Sequence, residues 1–150
     1  MAAIRALSGW PNAKPAADLL EVADSTEDKI QRTLALRGFV RLIGLDSDRS
    51  VSEMVKMYKQ AMGLASDVSE KKTVLSGLAN VKGLESLNLA AKYLNKKVLR
   101  EEAAAAVLKI AQTTLESNPR KTKAVLRKVL RISKNDSLRQ QAQELIDKIK

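Results

Sequence analysis

The chain has 150 residues, a net charge of +10 at pH 7 and 45% hydrophobic residues, which is enough apolar material for the core of one compact domain. It contains no cysteine and no histidine, which excludes disulfides, the usual Cys/His zinc sites and the commonest general base at neutral pH. Its apolar residues are mostly alanine, leucine, valine and isoleucine, with few glycines and prolines. This composition is typical of an all-α protein.

Helical periodicity recurs along the chain with short breaks, and no stretch alternates with a period of two for long enough to predict a strand. Ser50 and Glu53 have the spacing of a capping box at the start of the fourth helix. Asn118 followed by Pro119 is a start signal for the eighth helix. Nine helices are predicted, over residues 1–8, 14–24, 27–43, 50–65, 67–80, 84–94, 96–117, 119–134 and 136–150.

Two short sequence patterns are repeated. An arginine followed three residues later by an alanine occurs near the start of three predicted helices, at Arg32, Arg100 and Arg139. Residues 7–14 align with residues 75–82, and five of the eight aligned pairs are identical. The offset that places residue 7 on residue 75 corresponds to two stacked helical units of about 34 residues each.

The helices pair into helix-turn-helix units within a single repeat domain over residues 1–150. No pair can bury its apolar face alone, so the pairs must stack side by side to form a core. The sequence therefore predicts an α-solenoid of about four stacked antiparallel helix pairs. The units lie at about 14–43, 50–80, 84–116 and 119–148, with a partial unit at 1–10.

The repeated pattern resembles the HEAT-repeat family, whose second helix typically opens with an Asp-rich turn, an apolar residue, an arginine, two variable positions and an alanine. One unit departs from it, because residues 69–78 contain Lys71 and Lys72 but no Arg-x-x-Ala. The resemblance implies a right-handed, HEAT/ARM-like solenoid in which the three repeated arginines bridge neighbouring repeats as structural groups. The pattern itself lies at residues 28–35, 95–103 and 136–142.

Residues 3–13 and 32–42 also resemble HEAT-like regions of large exported bacterial proteins, in which such regions accompany a domain of the 3-keto-disaccharide hydrolase type. This likeness implies an accessory scaffold attached to a carbohydrate-active protein, with the chemistry outside this chain. It also implies an extracytoplasmic location, whereas a cytoplasmic one is expected without it. Because the first helix lacks a capped beginning, we expect the chain to be a piece of a longer polypeptide.

The eighth predicted helix is the strongest candidate for a binding surface, because it has many cations and no acidic residue between Ser117 and Asn135. At 100° per residue the charges fall within an arc of about 160°, opposite an apolar face. Such a face binds phosphates, an anionic lipid surface or an acidic protein, or simply keeps an outer helix solvated. No aromatic residue is interleaved, which argues against stacking on single-stranded bases. The cations are Arg120, Lys121, Lys123, Arg127, Lys128, Arg131 and Lys134.

The chain has no nucleophile with a matched base, no set of metal-ligand residues and no phosphate-binding loop. We therefore expect a non-catalytic protein without metal or cofactor, acting as a scaffold or protein-interaction module. Its expected partner is another protein or a neighbouring domain of the same polypeptide. The alternative is binding of a nucleic-acid backbone or another polyanion through the basic C-terminal units. No apolar run approaches the ~20 residues that a membrane span needs, so none is expected.

Overall fold

A computed structural model describes all 150 residues and shows nine α-helices and no β-strand. The predicted all-α class and the number of helices are thus confirmed. No helix combines the length and the apolar character needed to cross a membrane. The helices are α1 (Ala2–Ser8), α2 (Ala16–Ser25), α3 (Lys29–Ile43), α4 (Val51–Leu64), α5 (Val68–Leu78), α6 (Leu84–Lys92), α7 (Arg100–Thr114), α8 (Pro119–Ile132) and α9 (Asp136–Asp147).

The two predicted start signals are present. The Ser50 hydroxyl accepts the backbone N–H of Glu53 at 3.2 Å, and the Ser50 N–H donates to the Glu53 carboxylate at 2.8 Å, which completes the capping box of α4. Pro119 is the first residue of α8, where its missing N–H leaves no helical hydrogen bond unmade. Local sequence therefore decides where these two helices begin.

The predicted start of α7 at residue 96 is wrong, because the helix begins at Arg100. A 3-10 turn over Tyr93–Asn95 ends α6, and residues 96–99 form a further turn. Leu94 and Leu99 on either side of this turn are both buried. Because both leucines are buried, the chain is held against the core on both sides of this turn. This is a tertiary effect that helical periodicity does not predict.

The chain divides into two compact units, residues 1–77 and 78–150. In the first unit, α3 packs against α1, α2 and α4. It is buried on several sides, and Phe39 of this helix has only 1% of its surface exposed. Leu19 of α2 and Tyr58 of α4 complete the middle of this core. The first unit is thus organised around α3.

In the second unit, α7 has the central position and packs against α6, α8 and α9. Its alanines allow close approach, and Ala103 and Ala111 are fully buried. Leu87 of α6 and Leu126 of α8 pack into the same core with no exposed surface. Helices α6 and α8 also contact each other directly.

The offset of the sequence repeat, which places residue 7 on residue 75, also appears in the helix positions. Helices α2, α4 and α5 start at residues 16, 51 and 68, and α6, α8 and α9 start at residues 84, 119 and 136, which is the same offset in each case. Residues related by this offset are called equivalent below. The equivalent residues Leu19 and Leu87 both have no exposed surface. Three helix starts in each unit therefore keep the offset of the sequence repeat, whereas the central helices α3 and α7 start at residues 29 and 100.

Each unit has a polar contact that joins two helix starts distant in sequence. In the first unit, the Thr33 hydroxyl at the start of α3 donates to the Glu70 carboxylate in the first turn of α5 at 2.5 Å. In the second unit, the Glu101 carboxylate at the start of α7 accepts the Ser133 hydroxyl at 2.5 Å and the Lys134 N–H at 2.9 Å, just before α9. Thr33 and Glu101 are equivalent positions but their partners are not, so the two units connect corresponding helix starts through different residues.

A second recurrent contact joins α3 and α7 to earlier parts of their own units. Arg41 Nη1 donates to the carbonyl oxygens of Ser8 at 2.8 Å and Trp10 at 3.1 Å. At the equivalent position, Lys109 Nζ donates to Asn80 Oδ1 at 2.7 Å. The two central helices are therefore held at both ends by polar groups distant in sequence.

Candidate anion-binding surface on helix α8

The buried face of α8 fixes its rotation about its own axis. Leu126 and Val129 have no exposed surface, and neither does Thr122. The Thr122 hydroxyl is 2.8 Å from the Thr114 hydroxyl and 3.1 Å from the Thr114 carbonyl oxygen at the end of α7. Because a helix is rigid, anchoring these three residues turns the opposite face outward.

The outward face carries cations without partners. Four of the six cations within α8 are exposed, and the other two, Lys123 and Lys128, are partly exposed. None of the six side chains forms a hydrogen bond or an ion pair, and the chain contains a single ion pair, between Lys29 and Asp67 at 3.6 Å. The charge of this face is therefore not neutralised within the protein. The six cations are Arg120, Lys121, Lys123, Arg127, Lys128 and Arg131.

Lys134, the seventh predicted cation, lies just beyond the C-terminal end of α8. Its side chain is exposed, while its backbone N–H donates to Glu101. Burial raises the pKa of Glu101, but the hydrogen bonds from Ser133 and from the Lys134 backbone outweigh it and hold the pKa below its ordinary value of 4.5. The Glu101 carboxylate, which contacts the residues just beyond this end of α8, is thus occupied with backbone and hydroxyl donors.

Cations from outside α8 lie at the same end of the unit. The C-terminal end of α6 lies close to the start of α7, since Arg100 Nε donates to the Leu94 carbonyl oxygen at 3.2 Å. The α8 end approaches the same point through the contact of Lys134 with Glu101. The exposed residues that follow or end α6, Lys92, Lys96 and Lys97, therefore share one end of the unit with Arg131 and Lys134.

The three repeated arginines make three different contacts. Arg32 Nη2 donates to the Ser66 hydroxyl at 3.0 Å, and its buried Nε has no partner. Arg100 bonds to the turn before its own helix, and the exposed Arg139 side chain forms no hydrogen bond or ion pair. Their role as bridges between repeats stays a prediction.

A smaller basic groove in the first unit is absent from the predicted sites. It measures about 300 Å³ between α1 and α3, with Ile4 and Leu34 among its apolar lining and Arg5, Arg37 and Arg41 around it. Arg37 and Arg41 lie one turn apart on α3, a spacing visible in the sequence. The contribution of Arg5 depends on the packing of α1 against α3, which the local pattern does not reveal.

Comparison with known proteins finds no relative for this chain. No family model, no curated protein and no solved structure matches it. The chemistry of the α8 surface must therefore be inferred from its own residues: six unpaired cations on one face of a helix whose other face is anchored in the core.

Proposed function

We propose that this protein is a non-catalytic helical-repeat module that binds a protein partner or a neighbouring domain, with its helix pairs stacked as a right-handed α-solenoid. The observation that supports this proposal is the recurrence of three helix starts at one constant offset, together with the long-range hydrogen bonds made from equivalent positions of the two central helices. Repeats that bury their apolar faces on one another leave long exposed surfaces, which such proteins use for binding.

The second helices of the pairs provide the proposed binding face. Arg37 of α3 and Ala105 of α7 occupy equivalent, exposed positions on the two central helices. A photo-crosslinking amino acid at either position should give a discrete product with a partner in extracts of the source organism. The matched controls are Ala17 and Ser52, which are exposed on the first helices α2 and α4. Equal labelling from all four positions, or from none, would overturn the proposed face.

A second candidate function is binding of a polyanion through α8. The observation that favours it is that the cations of α8 have no intramolecular partner. Counterions condensed on a polyanion are released when such cations replace them, which makes binding favourable and salt-dependent. Retention on heparin at low salt, lost on charge reversal by Arg127→Glu with Arg131→Glu, is the expected result. A wild-type protein that is not retained would rule this candidate out.

A further inference from the structure

Helix α4 of the first unit provides an internal comparison for α8, because the two helices occupy equivalent positions. The two helices have the same length and start at equivalent positions, Val51 and Pro119. Tyr58 of α4 is buried in the first unit, and Leu126 is buried at the equivalent position of α8. Each helix is the first of its pair, and each presents the opposite face to solvent. Since α4 and α8 have the same length and equivalent buried residues, packing against the core does not explain differences between their exposed faces.

The exposed faces differ strongly in charge. Helix α4 has one acid, Glu53, and two lysines, Lys56 and Lys59, so its net charge is +1, whereas α8 has six cations and no acid. Since a net charge of +1 suffices to keep this face solvated in the first unit, solvation alone does not explain the five additional charges of α8. A functional demand on the second unit accounts for them.

The neighbouring helix changes in the same direction. In the first unit a groove of about 460 Å³ lies between α2 and α4, and its lining includes Asp24, Gln60 and Gly63. The equivalent residues of the second unit are Lys92, Lys128 and Arg131. Three separate positions, one on α6 and two on α8, thus become cationic together. The surface formed by α6 and α8, which we call the basic face, is therefore the unit of function rather than α8 alone.

We propose that the basic face binds the phosphate backbone of double-stranded nucleic acid, an inference that rests on the polyanion candidate above. The 14 residues of α8 span about 21 Å. A duplex presents one charge per about 1.7 Å of its axis, so phosphates are available along the whole helix. Lys123, Arg127 and Arg131 recur every four residues, which places successive cations about 6 Å apart along one line.

The other polyanions fit this face less well. The exposed large apolar residues of the protein are Met1, Trp10, Ile30, Val68 and Val98, and none lies on α8. A lipid-bound helix needs an apolar face free to enter the bilayer, but that of α8 is buried in the core. Helix α8 also has no aromatic residue on which unpaired bases would stack. A face of regularly spaced cations, with neither a free apolar surface nor aromatic residues for stacking, matches the backbone of a duplex best.

Binding through phosphates alone depends steeply on salt and weakly on base sequence. With about five phosphates neutralised, the slope of log affinity against log salt is about −4.5, and affinity falls about 500-fold between roughly 50 and 200 mM salt. Removing three cations from the face should reduce the magnitude of this slope by about 3 and weaken binding at least ~30-fold at low salt.

The experiment measures fluorescence anisotropy of a labelled duplex of about 25 base pairs over that salt range. The test variant of the full chain combines Arg127→Gln, Lys128→Gln and Arg131→Gln. The control variant combines Lys56→Gln, Lys59→Gln and Lys72→Gln, which removes the same charge from exposed positions of the first unit. Circular dichroism confirms that each variant is folded. We expect the test variant to lose binding and the control variant to retain it.

Three results would overturn the inference in distinguishable ways. If poly-glutamate or vesicles containing phosphatidylserine are bound as tightly as the duplex, the polyanion candidate stands and the nucleic-acid inference fails. If both triple variants lose affinity equally, binding follows net charge and the basic face is not the site. If neither heparin nor the duplex is bound at about 50 mM salt, both the inference and the polyanion candidate fail.

Discussion

Replacing Glu70 with alanine should destabilise the first unit more than any surface change of similar size. Only 3% of the Glu70 surface is exposed, yet the residue is a carboxylate. It is satisfied by the Thr33 hydroxyl at 2.5 Å, the Ser66 N–H at 2.7 Å and the Ser66 hydroxyl at 3.0 Å. These bonds join the start of α3 to the start of α5.

The expected cost follows from these contacts. Hydrogen bonds to a charged group contribute about 1.5–3 kcal/mol each, but removing the carboxylate also removes its desolvation penalty, so the net loss is about 2–4 kcal/mol. For a chain of this size that loss lowers the melting temperature by roughly 6–12 °C. Glu70→Gln keeps the shape and one acceptor oxygen, and about 1 kcal/mol of loss is expected.

The pH dependence provides a separate check on the charge. Burial raises the pKa of Glu70, but the hydrogen bonds from Thr33 and Ser66 outweigh it and hold the pKa below its ordinary value of 4.5. The folded state therefore binds the proton more weakly than the unfolded chain. The stabilisation is fully present above pH 4.5 and is lost as the pH falls through the folded-state pKa.

The assay is urea unfolding followed by circular dichroism, from pH 7 to about pH 3, for the wild type, Glu70→Ala and Glu70→Gln. The difference in unfolding free energy between the wild type and Glu70→Gln should shrink as the pH falls. A cost below about 1 kcal/mol for Glu70→Ala would show that the contact between helix starts is not a main support of the fold. A pH-independent difference between the wild type and Glu70→Gln would refute the assigned charge.

Three further changes have definite expected outcomes in urea unfolding. The buried Tyr58 hydroxyl has no hydrogen-bond partner, and burial raises its pKa to about 12. Tyr58→Phe should therefore raise the unfolding free energy by about 1 kcal/mol. A decrease in the unfolding free energy would show that the hydroxyl has a hydrogen-bond partner. At Gly38 a Cβ would clash with the Ser8 side chain, so Gly38→Ala should lower the unfolding free energy by about 1–3 kcal/mol. An increase in the unfolding free energy would mean that α1 moves aside without loss of packing. Ser50→Ala removes one half of the capping box and should cost about 1 kcal/mol at neutral pH; no change would deny the cap a role.

Features that depend on neighbours in sequence were predictable. The nine helices follow from apolar periodicity, and the capping box of Ser50 and Glu53 follows from spacing. The two faces of α8 follow from the same periodicity, because its apolar residues pack inward and its cations lie outward. The repeat offset was visible in the matching segments 7–14 and 75–82 and recurs in the helix starts.

Tertiary structure decided what depends on residues far apart in the chain. Nothing in the local sequence marks Glu70 as buried, since its partner Thr33 is 37 residues away. The start of α7 at Arg100 results from the burial of Leu94 and Leu99 in a core made by other helices. The same holds for Gly38, where only the approach of α1 shows why a side chain does not fit. Periodicity thus determined which residues form helices and which face is apolar, whereas long-range packing determined which polar groups are brought together.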